Sequence, residues 1–169
     1  NLDPPTWHPV PFEGGTLLVS ARYLTICGET VPMTGDVAQA AVDSLGASLP
    51  TVAVVDAIEA APGAVVVPLR TQMPDGGEQG SAAFDRAERE MRDDFERRKV
   101  PDGALVVGVR KDVVTPAPDG HVAIYGARWP LGGRLQPYAV GHGLFFVDYS
   151  TAVRAVRGLA TAWRYPLPW

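Results

Sequence analysis

The clearest alternation of apolar and charged positions lies in residues 81–99, SAAFDRAEREMRDDFERRK. Phe84, Ala87, Met91 and Phe95 recur every three to four residues, and nearly every other position is charged. This period predicts an amphipathic helix with one buried stripe. We expect the charges to form its solvated face.

Two shorter helices are predicted upstream. GDVAQAAVDSLG repeats apolar residues at helical spacing, and Gly46 suits its C-terminal end. In LPTVAVVDAIEAAPG, Thr51 suits an N-cap, and Pro62 with Gly63 would end the helix. A further helix is predicted over STAVRAVRGLATAW, with Ser150 as its N-cap.

Runs rich in β-branched and aromatic residues predict strands in TLLVSARYLTIC, AVVVPL, GALVVGVRKDVV, HVAIYGARW and LFFVDY. The third and fourth runs are joined by TPAPDG and predict a hairpin or neighbouring strands. TQMPDGGEQG and LGGRLQPYAVGHG are rich in turn formers and predict loops. The order of elements favours an α+β fold, a small and mostly antiparallel sheet with packed helices. We expect one globular domain, 16–169, after an extended proline-rich segment, 1–15.

Charge and composition narrow the possible partners. A net charge of −4 and a pI near 5.3 provide no general attraction for nucleic acid or an anionic membrane. No apolar run approaches the roughly 18 to 20 residues of a membrane span. The start, NLDPPTWHPVP, lacks a methionine and is compatible with a mature end, so we expect an exported protein. The sequence leaves the oligomeric state open.

The stretch GHGLFFVDYS, 141–150, raises the possibility of a catalytic group. On a straight strand His142, Asp148 and Ser150 would share one face, but His142 and Asp148 would lie roughly 20 Å apart. A direct hydrogen bond needs about 3 Å, so the chain would have to bend near the flanking glycines. Ser150 is then either a nucleophile or a helix cap.

Polar residues on the predicted hairpin complete the candidate site. If the strands are neighbours, Lys111, Asp112 and Tyr125 could meet near the loop that carries His142. His142 would act as general acid or base, Asp148 would orient it, and Lys111 or Tyr125 would stabilise negative charge. Ser150 is the candidate nucleophile, and the candidate substrate-binding residues are Asp112, Trp129 and Tyr149.

Neither a metal site nor a cofactor site is predicted. The three histidines, His8, His121 and His142, show no short ligand spacing, and Cys27 is the only cysteine. A metal site built from His121, His142 and a distant carboxylate stays an alternative. The glycine-rich stretches lack the lysine of a phosphate-binding loop.

Several stretches resemble a group of uncharacterised bacterial proteins, over residues 23–61 and 104–157: YLTIC, ALVVGVRKDVV, VAIYG and GHGLFFVDYS. In that group a histidine often precedes the basic pair and another follows DYS, where this chain has Val109 and Thr151. The resemblance implies no reaction. It does mark these polar residues as those to examine: Lys111, Asp112, Tyr125, His142, Asp148, Tyr149 and Ser150.

HVAIY, 121–125, is similar to the GHVxIY stretch of NlpC/P60 peptidases. This resemblance implies a catalytic His121, with Cys27 as nucleophile at a helix N-terminus. GETVPMTG separates Cys27 from the predicted helix, and Cys27 equally suits a buried strand position.

We therefore expect a hydrolase acting on a peptide or cell-envelope polymer. The alternatives are a non-catalytic glycan- or peptide-binding module and an accessory subunit of a bacterial assembly. In the binding module, a groove would be lined by Trp129, Tyr138, Phe145 and Tyr149.

Overall fold

The computed structural model describes residues 1–70, 81–160 and 163–167. It has the predicted α+β fold, with three helices and eleven strands in this described part. The helices are α1 (Gly35–Ser44), α2 (Val52–Ala60) and α3 (Ser81–Arg98). The strands are β1 (Trp7–Phe12), β2 (Gly15–Ser20), β3 (Thr25–Ile26), β4 (Glu29–Thr30), β5 (Val65–Val66), β6 (Val106–Val107), β7 (Lys111–Val114), β8 (His121–Arg128), β9 (Arg134–Gly143), β10 (Thr151–Ala152) and β11 (Val156–Arg157).

The sheet that positions the candidate residues has the strand order β10-β7-β8-β9. β8 is antiparallel to both β7 and β9, and β10 is parallel to β7. The predicted neighbouring strands 103–114 and 121–129 are therefore confirmed, with Asp112 opposite Tyr125. β9 is one of the two edge strands of this sheet, with no strand on its outer side in the described part.

A second sheet, β1-β2-β11, is antiparallel and includes part of the segment predicted as an extended N-terminal arm. β1 lies within residues 1–15, and its Val10 is fully buried. The arm thus packs into the domain. The short pairs β3–β4 and β5–β6 complete the strands, antiparallel and parallel respectively.

The three upstream helices form where the periodicity predicts them. The Thr51 hydroxyl accepts a hydrogen bond from the Val54 amide and caps α2. Gly46, with φ +60°, follows the end of α1. The expectation that all charges of α3 are solvated is wrong, because Glu88 and Asp94 are buried.

The helix predicted over 150–163 does not form in the described residues there. Residues 150–156 are all buried, and they contribute β10 and β11 to the two main sheets. A helix at the surface of a small domain buries one stripe, whereas a short strand between two sheets buries both faces. The loop predicted over 131–143 is also wrong, since most of it forms β9, and LFFVDY forms a turn region instead of a strand. The loop predicted over 71–80 lies outside the described residues.

The core lies in two main layers. One apolar cluster packs between the β10-β7-β8-β9 sheet and α1, and a second packs α2 against the β1-β2-β11 sheet. The start of α1 packs closely against Leu144 and Tyr165. A Cβ atom at Gly35 would lie 3.0 Å from both side chains. Tyr165 is buried and anchors the C-terminal segment onto the sheet.

Candidate functional site

Lys111 and Asp148 form the centre of the predicted site. Lys111 Nζ lies 2.9 Å from Asp148 Oδ2, and both side chains are largely buried. Asp148 Oδ1 accepts hydrogen bonds from the Ser150 amide, the Ser150 hydroxyl and the Thr151 hydroxyl at 2.8, 2.7 and 2.9 Å. Burial acts to raise the pKa of Asp148, but the Lys111 charge and the hydrogen bonds from Ser150 outweigh it and lower the pKa.

Ser150 does not cap a helix, and the prediction of that role is wrong. Its hydroxyl donates to Asp148, while its carbonyl accepts from the Lys111 amide at 2.7 Å. The residue has no exposed surface. Asp148 holds the hydroxyl in place, but a carboxylate with a lowered pKa is a weak base for activating it.

Thr151 and Val109 are two further residues close to Lys111. Thr151 is paired with Lys111 across β10 and β7 and contacts Asp148. Val109 lies two residues before Lys111 in the chain. The side chains of both residues are buried.

His142 lies apart from this cluster. It is paired with Val122 on one side of β8, whereas Lys111 is paired with Gly126 on the other side. Four residues along β8 and two strand spacings place the two backbones on the order of 16 Å apart. The His142 ring stacks on Phe146, with ring centroids 3.7 Å apart. The turn after β9 thus brings Asp148 to Lys111 but does not bring His142 to either.

Tyr125 belongs to an ion-pair network between α2 and the β8–β9 hairpin. Its hydroxyl donates to Asp56 Oδ1 at 2.8 Å, and the Arg134 guanidinium lies 4.1 Å from its ring centre. Arg134 also pairs with Asp56 and Glu59, and Arg128 pairs with Glu59. Burial and the hydrogen bond to Asp56 raise the pKa of Tyr125. The structure therefore separates Tyr125 from Lys111.

Asp112 is buried in a different network. Its carboxylate lies 3.4 Å from the Tyr23 hydroxyl and 3.4 Å from Arg154 Nε. Arg154 is itself buried and donates to the carbonyls of Ser20 and Val106 at 2.7 and 2.8 Å. Burial raises the pKa of Asp112 to about 6. This environment holds Asp112 away from a substrate.

A second buried ion pair joins α3 to the chain just before β7. Arg110 Nη2 contacts Glu88 Oε1 at 2.5 Å, and Glu88 Oε2 accepts from the Thr30 amide at 3.4 Å. Neither of these charged residues was predicted to be buried. The signal was present for Glu88, which falls on the helical stripe between Phe84 and Met91.

Cys27 lies in the turn between β3 and β4, where it is exposed, and the predicted buried strand position is wrong. Cys27 and Gly28 have φ values of +54° and +80°, and the turn is held by the Asp3 carboxylate, which accepts from both amides. The helix N-terminus that an NlpC/P60-type nucleophile requires is absent at this position.

The aromatic residues predicted to line a groove are spread along β9. Trp129 and Phe145 lie beyond its opposite ends, about 30 Å of strand apart. Tyr138 lies between them and donates its hydroxyl to the Pro116 carbonyl at 2.9 Å. Tyr149 is partly buried. These side chains therefore follow an extended edge and do not close into one pocket.

A cavity of about 370 Å³ opens where β8 begins and β9 ends. Its apolar lining comes from the loop before β8, the turn after β9 and the C-terminal segment: Pro118, Leu144, Trp163, Tyr165 and Pro166. His121, Asp119 and Arg164 supply its polar groups. Among these polar residues, only His121 was a candidate from the sequence.

Tyr165 fixes one wall of this cavity. Its buried hydroxyl accepts from the Ala123 amide and donates to the Val114 carbonyl, each at 2.8 Å. Burial raises the pKa of Tyr165 to about 12. Arg164 at the rim is paired with Asp43, whereas Asp119 makes no ion pair in the described part of the chain. The cavity is thus preformed, which is typical of small-ligand and side-chain sites.

Within residues 1–70, 81–160 and 163–167, no three histidine, cysteine or carboxylate side chains group together as metal ligands would. None of the helices described there combines the length and apolar character that crossing a membrane requires. No family model, curated protein or solved structure shows significant similarity to this chain.

Proposed function

We propose that the protein is a non-catalytic peptide-binding module that receives an apolar side chain in the cavity at the end of the β8–β9 hairpin. The observation that carries the proposal is this preformed, largely apolar cavity of about 370 Å³. Cavities of this size and character commonly bind small ligands or single side chains. The adjoining edge strand β9 is free on its outer side in the described part.

The edge strand favours a peptide over a compact ligand. An extended chain can add to an exposed sheet edge through its backbone, while side-chain pockets give specificity. Leu144 follows β9 directly and lines the cavity. A peptide running along β9 would therefore present one of its side chains at the cavity, with Tyr138 and Phe145 beside its path.

An NMR titration of the isotope-labelled protein tests this proposal. The probes are blocked alanine pentapeptides with a central leucine or a central serine, and an N-acetylglucosamine tetramer represents a glycan. We expect the leucine peptide alone to shift the signals of His121, Leu144 and Trp163, with a dissociation constant of about 10–100 mM, since one leucine contributes about 1.5–3 kcal/mol. Shifts caused only by the glycan, or equal shifts with both peptides, would contradict the proposal.

A hydrolase acting on a peptide or cell-envelope polymer is the second candidate. It is favoured by one observation: Lys111, Asp148 and Ser150 meet, at 2.9 and 2.7 Å. We would measure turnover of peptide and cell-wall substrates by the wild type, Lys111→Met and Ser150→Ala. Turnover lost in both variants, with the fold intact, would favour the hydrolase over the binding module. Export to the cell envelope stays a prediction.

A further inference from the structure

His121 lies in the wall of the cavity at the end of the β8–β9 hairpin, on a stretch of backbone that is held at two points. The His121 amide donates to the Pro118 carbonyl at 3.1 Å, and the Leu144 amide donates to the Gly120 carbonyl at 2.8 Å. These bonds join the loop before β8 to the turn after β9, and all four residues line the cavity. The backbone that carries the imidazole is therefore fixed before any ligand binds.

The imidazole of His121 has an unused hydrogen-bonding group. Its Nδ1 is buried and has no hydrogen-bond partner in the described part of the chain. Because the residue is partly exposed and lines the cavity, Nε2 is the ring nitrogen that a ligand can reach. A neutral imidazole carries one proton, and a buried N–H without an acceptor is rare in folded proteins. The neutral ring therefore carries its proton on Nε2 and offers a donor to the cavity.

The charged groups of the cavity favour an uncharged occupant. Arg164 is paired with Asp43, whereas Asp119 is exposed and makes no ion pair in the described residues. A carboxylate entering the cavity would be repelled by Asp119 without gaining an unpaired cation. A lysine or arginine side chain could pair with Asp119, but it has no acceptor for the donor of His121. The occupant that suits both groups is neutral and carries an acceptor.

The volume and the walls of the cavity favour an aromatic side chain. A cavity of about 150 Å³ is enough to hold a benzene molecule, and this one measures about 370 Å³. The rings of Pro118, Trp163 and Pro166 form much of its apolar wall. The Tyr165 hydroxyl already donates and accepts within the fold, so it leaves the donor of His121 without a partner. Among side chains with an uncharged oxygen acceptor, tyrosine alone adds a ring of this size.

We propose that the peptide residue received in this cavity is a tyrosine, and that His121 Nε2–H donates a hydrogen bond to its hydroxyl. This inference rests on the proposed function, because it names the residue that binds in the same cavity. His121 is then a specificity-determining residue, since it adds a hydrogen bond that leucine and phenylalanine cannot form. One neutral hydrogen bond corresponds to about threefold to tenfold in affinity.

An NMR titration of the wild type with matched peptides tests the inference. The probes are blocked alanine pentapeptides with a central tyrosine, phenylalanine or lysine. We expect the dissociation constant of the tyrosine peptide to be about threefold to tenfold lower than that of the phenylalanine peptide, and the lysine peptide to bind more weakly than both. Equal affinity for the tyrosine and phenylalanine peptides, or tightest binding by the lysine peptide, would overturn the inference.

Substitutions of His121 assign the preference to the imidazole. His121→Leu removes the donor and keeps an apolar wall, so it should bind the tyrosine and phenylalanine peptides equally. Binding of the phenylalanine peptide reports that the cavity of the variant is intact. His121→Gln keeps an amide N–H near the position of Nε2 and should keep part of the preference. His8→Leu, on β1 in the other main sheet, is the matched control and should prefer tyrosine as the wild type does. A preference for tyrosine that persists in His121→Leu would contradict the role of His121.

A long-range proton–nitrogen NMR spectrum of the wild-type imidazole tests the same idea without a variant. At about pH 9, where an imidazole is neutral, the proton should lie on Nε2 of His121. A proton on Nδ1 would refute the proposed hydrogen bond.

This inference and the proposed function can fail separately. If the leucine peptide shifts the signals of the cavity but the tyrosine and phenylalanine peptides bind equally, the proposed function stands and the choice of tyrosine is wrong. If none of the leucine, tyrosine and phenylalanine peptides binds, both proposals fail.

Discussion

Replacing Asp112 with asparagine tests the buried network that holds β7. The Asp112 carboxylate contacts Arg154 Nε and the Tyr23 hydroxyl, each at 3.4 Å, and all three side chains are buried. Burial raises its pKa from the ordinary 3.8 to about 6. The folded protein therefore keeps Asp112 protonated up to a higher pH, about 6, than the unfolded chain does.

The sign of the effect on stability follows from the direction of this pKa shift. The pKa of Asp112 is higher in the folded protein than in the unfolded chain. The stability that comes from binding this proton is therefore fully present below pH 3.8 and is lost as the pH rises through about 6. At about 1.4 kcal/mol per pKa unit, the displacement corresponds to about 3 kcal/mol. Asp112→Asn carries an uncharged amide at every pH, so its stability does not fall in this way as the pH rises.

Urea unfolding of the wild type and Asp112→Asn between pH 4 and pH 8 measures the effect. Over this range we expect the difference in free energy of unfolding to move in favour of the variant by about 2–3 kcal/mol. Asp119→Asn, which changes an exposed carboxylate, is the control and should show no such trend. A difference that is constant with pH, or that moves in favour of the wild type, would mean that the ion pair with Arg154 keeps Asp112 charged.

Three further substitutions probe other contacts. Glu88→Gln should lower the free energy of unfolding in urea by about 3–5 kcal/mol, because it leaves the Arg110 guanidinium buried without a counter-charge. A loss below about 1 kcal/mol would contradict this expectation. Asp148→Asn should lower the free energy of unfolding in urea most at neutral pH and least well below pH 4. Because the folded-state pKa of Asp148 is lowered, its contribution to stability is present above the unfolded-state pKa and is lost as the pH falls. An equal loss at neutral pH and well below pH 4 would refute the pairing with Lys111. Thr51→Ala should cost about 1 kcal/mol in thermal unfolding and Thr51→Ser much less, because serine keeps the cap to the helix.

The parts of the fold that could be predicted depend on local signals. The stripe of α3 repeats over five turns, and the β7–β8 pair is bounded by turn-forming residues. Thr51 and Gly46 act within one turn of their own helices. Such signals act between neighbours in sequence, so a single sequence is enough to find them.

The errors arise where distant contacts decide the structure. The apolar spacing around Arg154 suits a helix, yet the guanidinium donates to carbonyls of Ser20 and Val106, which fix that segment between two sheets. In β9, Pro137 and several glycines favour a loop by composition, but an edge strand tolerates them because one side of its backbone needs no partner. Neither feature is visible from local periodicity.

The contacts of the candidate residues differ from those predicted from the sequence. Asp148 was predicted to orient His142, but it contacts Lys111. The chain bends after β9, as a direct contact required, but the His142 ring turns onto Phe146 instead. The cavity was missed because its lining comes from three separate segments.

Lys111 and Asp112 are both engaged in contacts inside the fold. Successive side chains of β7 point to opposite faces, so Lys111 reaches Asp148 while Asp112 reaches Arg154. Asp148 and Asp112 thus each contact a cation inside the fold. The pKa of Asp148 is lowered and that of Asp112 is raised. A general base must be free to accept a proton from a substrate, whereas these groups hold strands together. The cavity at the end of the β8–β9 hairpin is lined mainly by apolar side chains and lies open, and so it is where binding to another molecule should be sought.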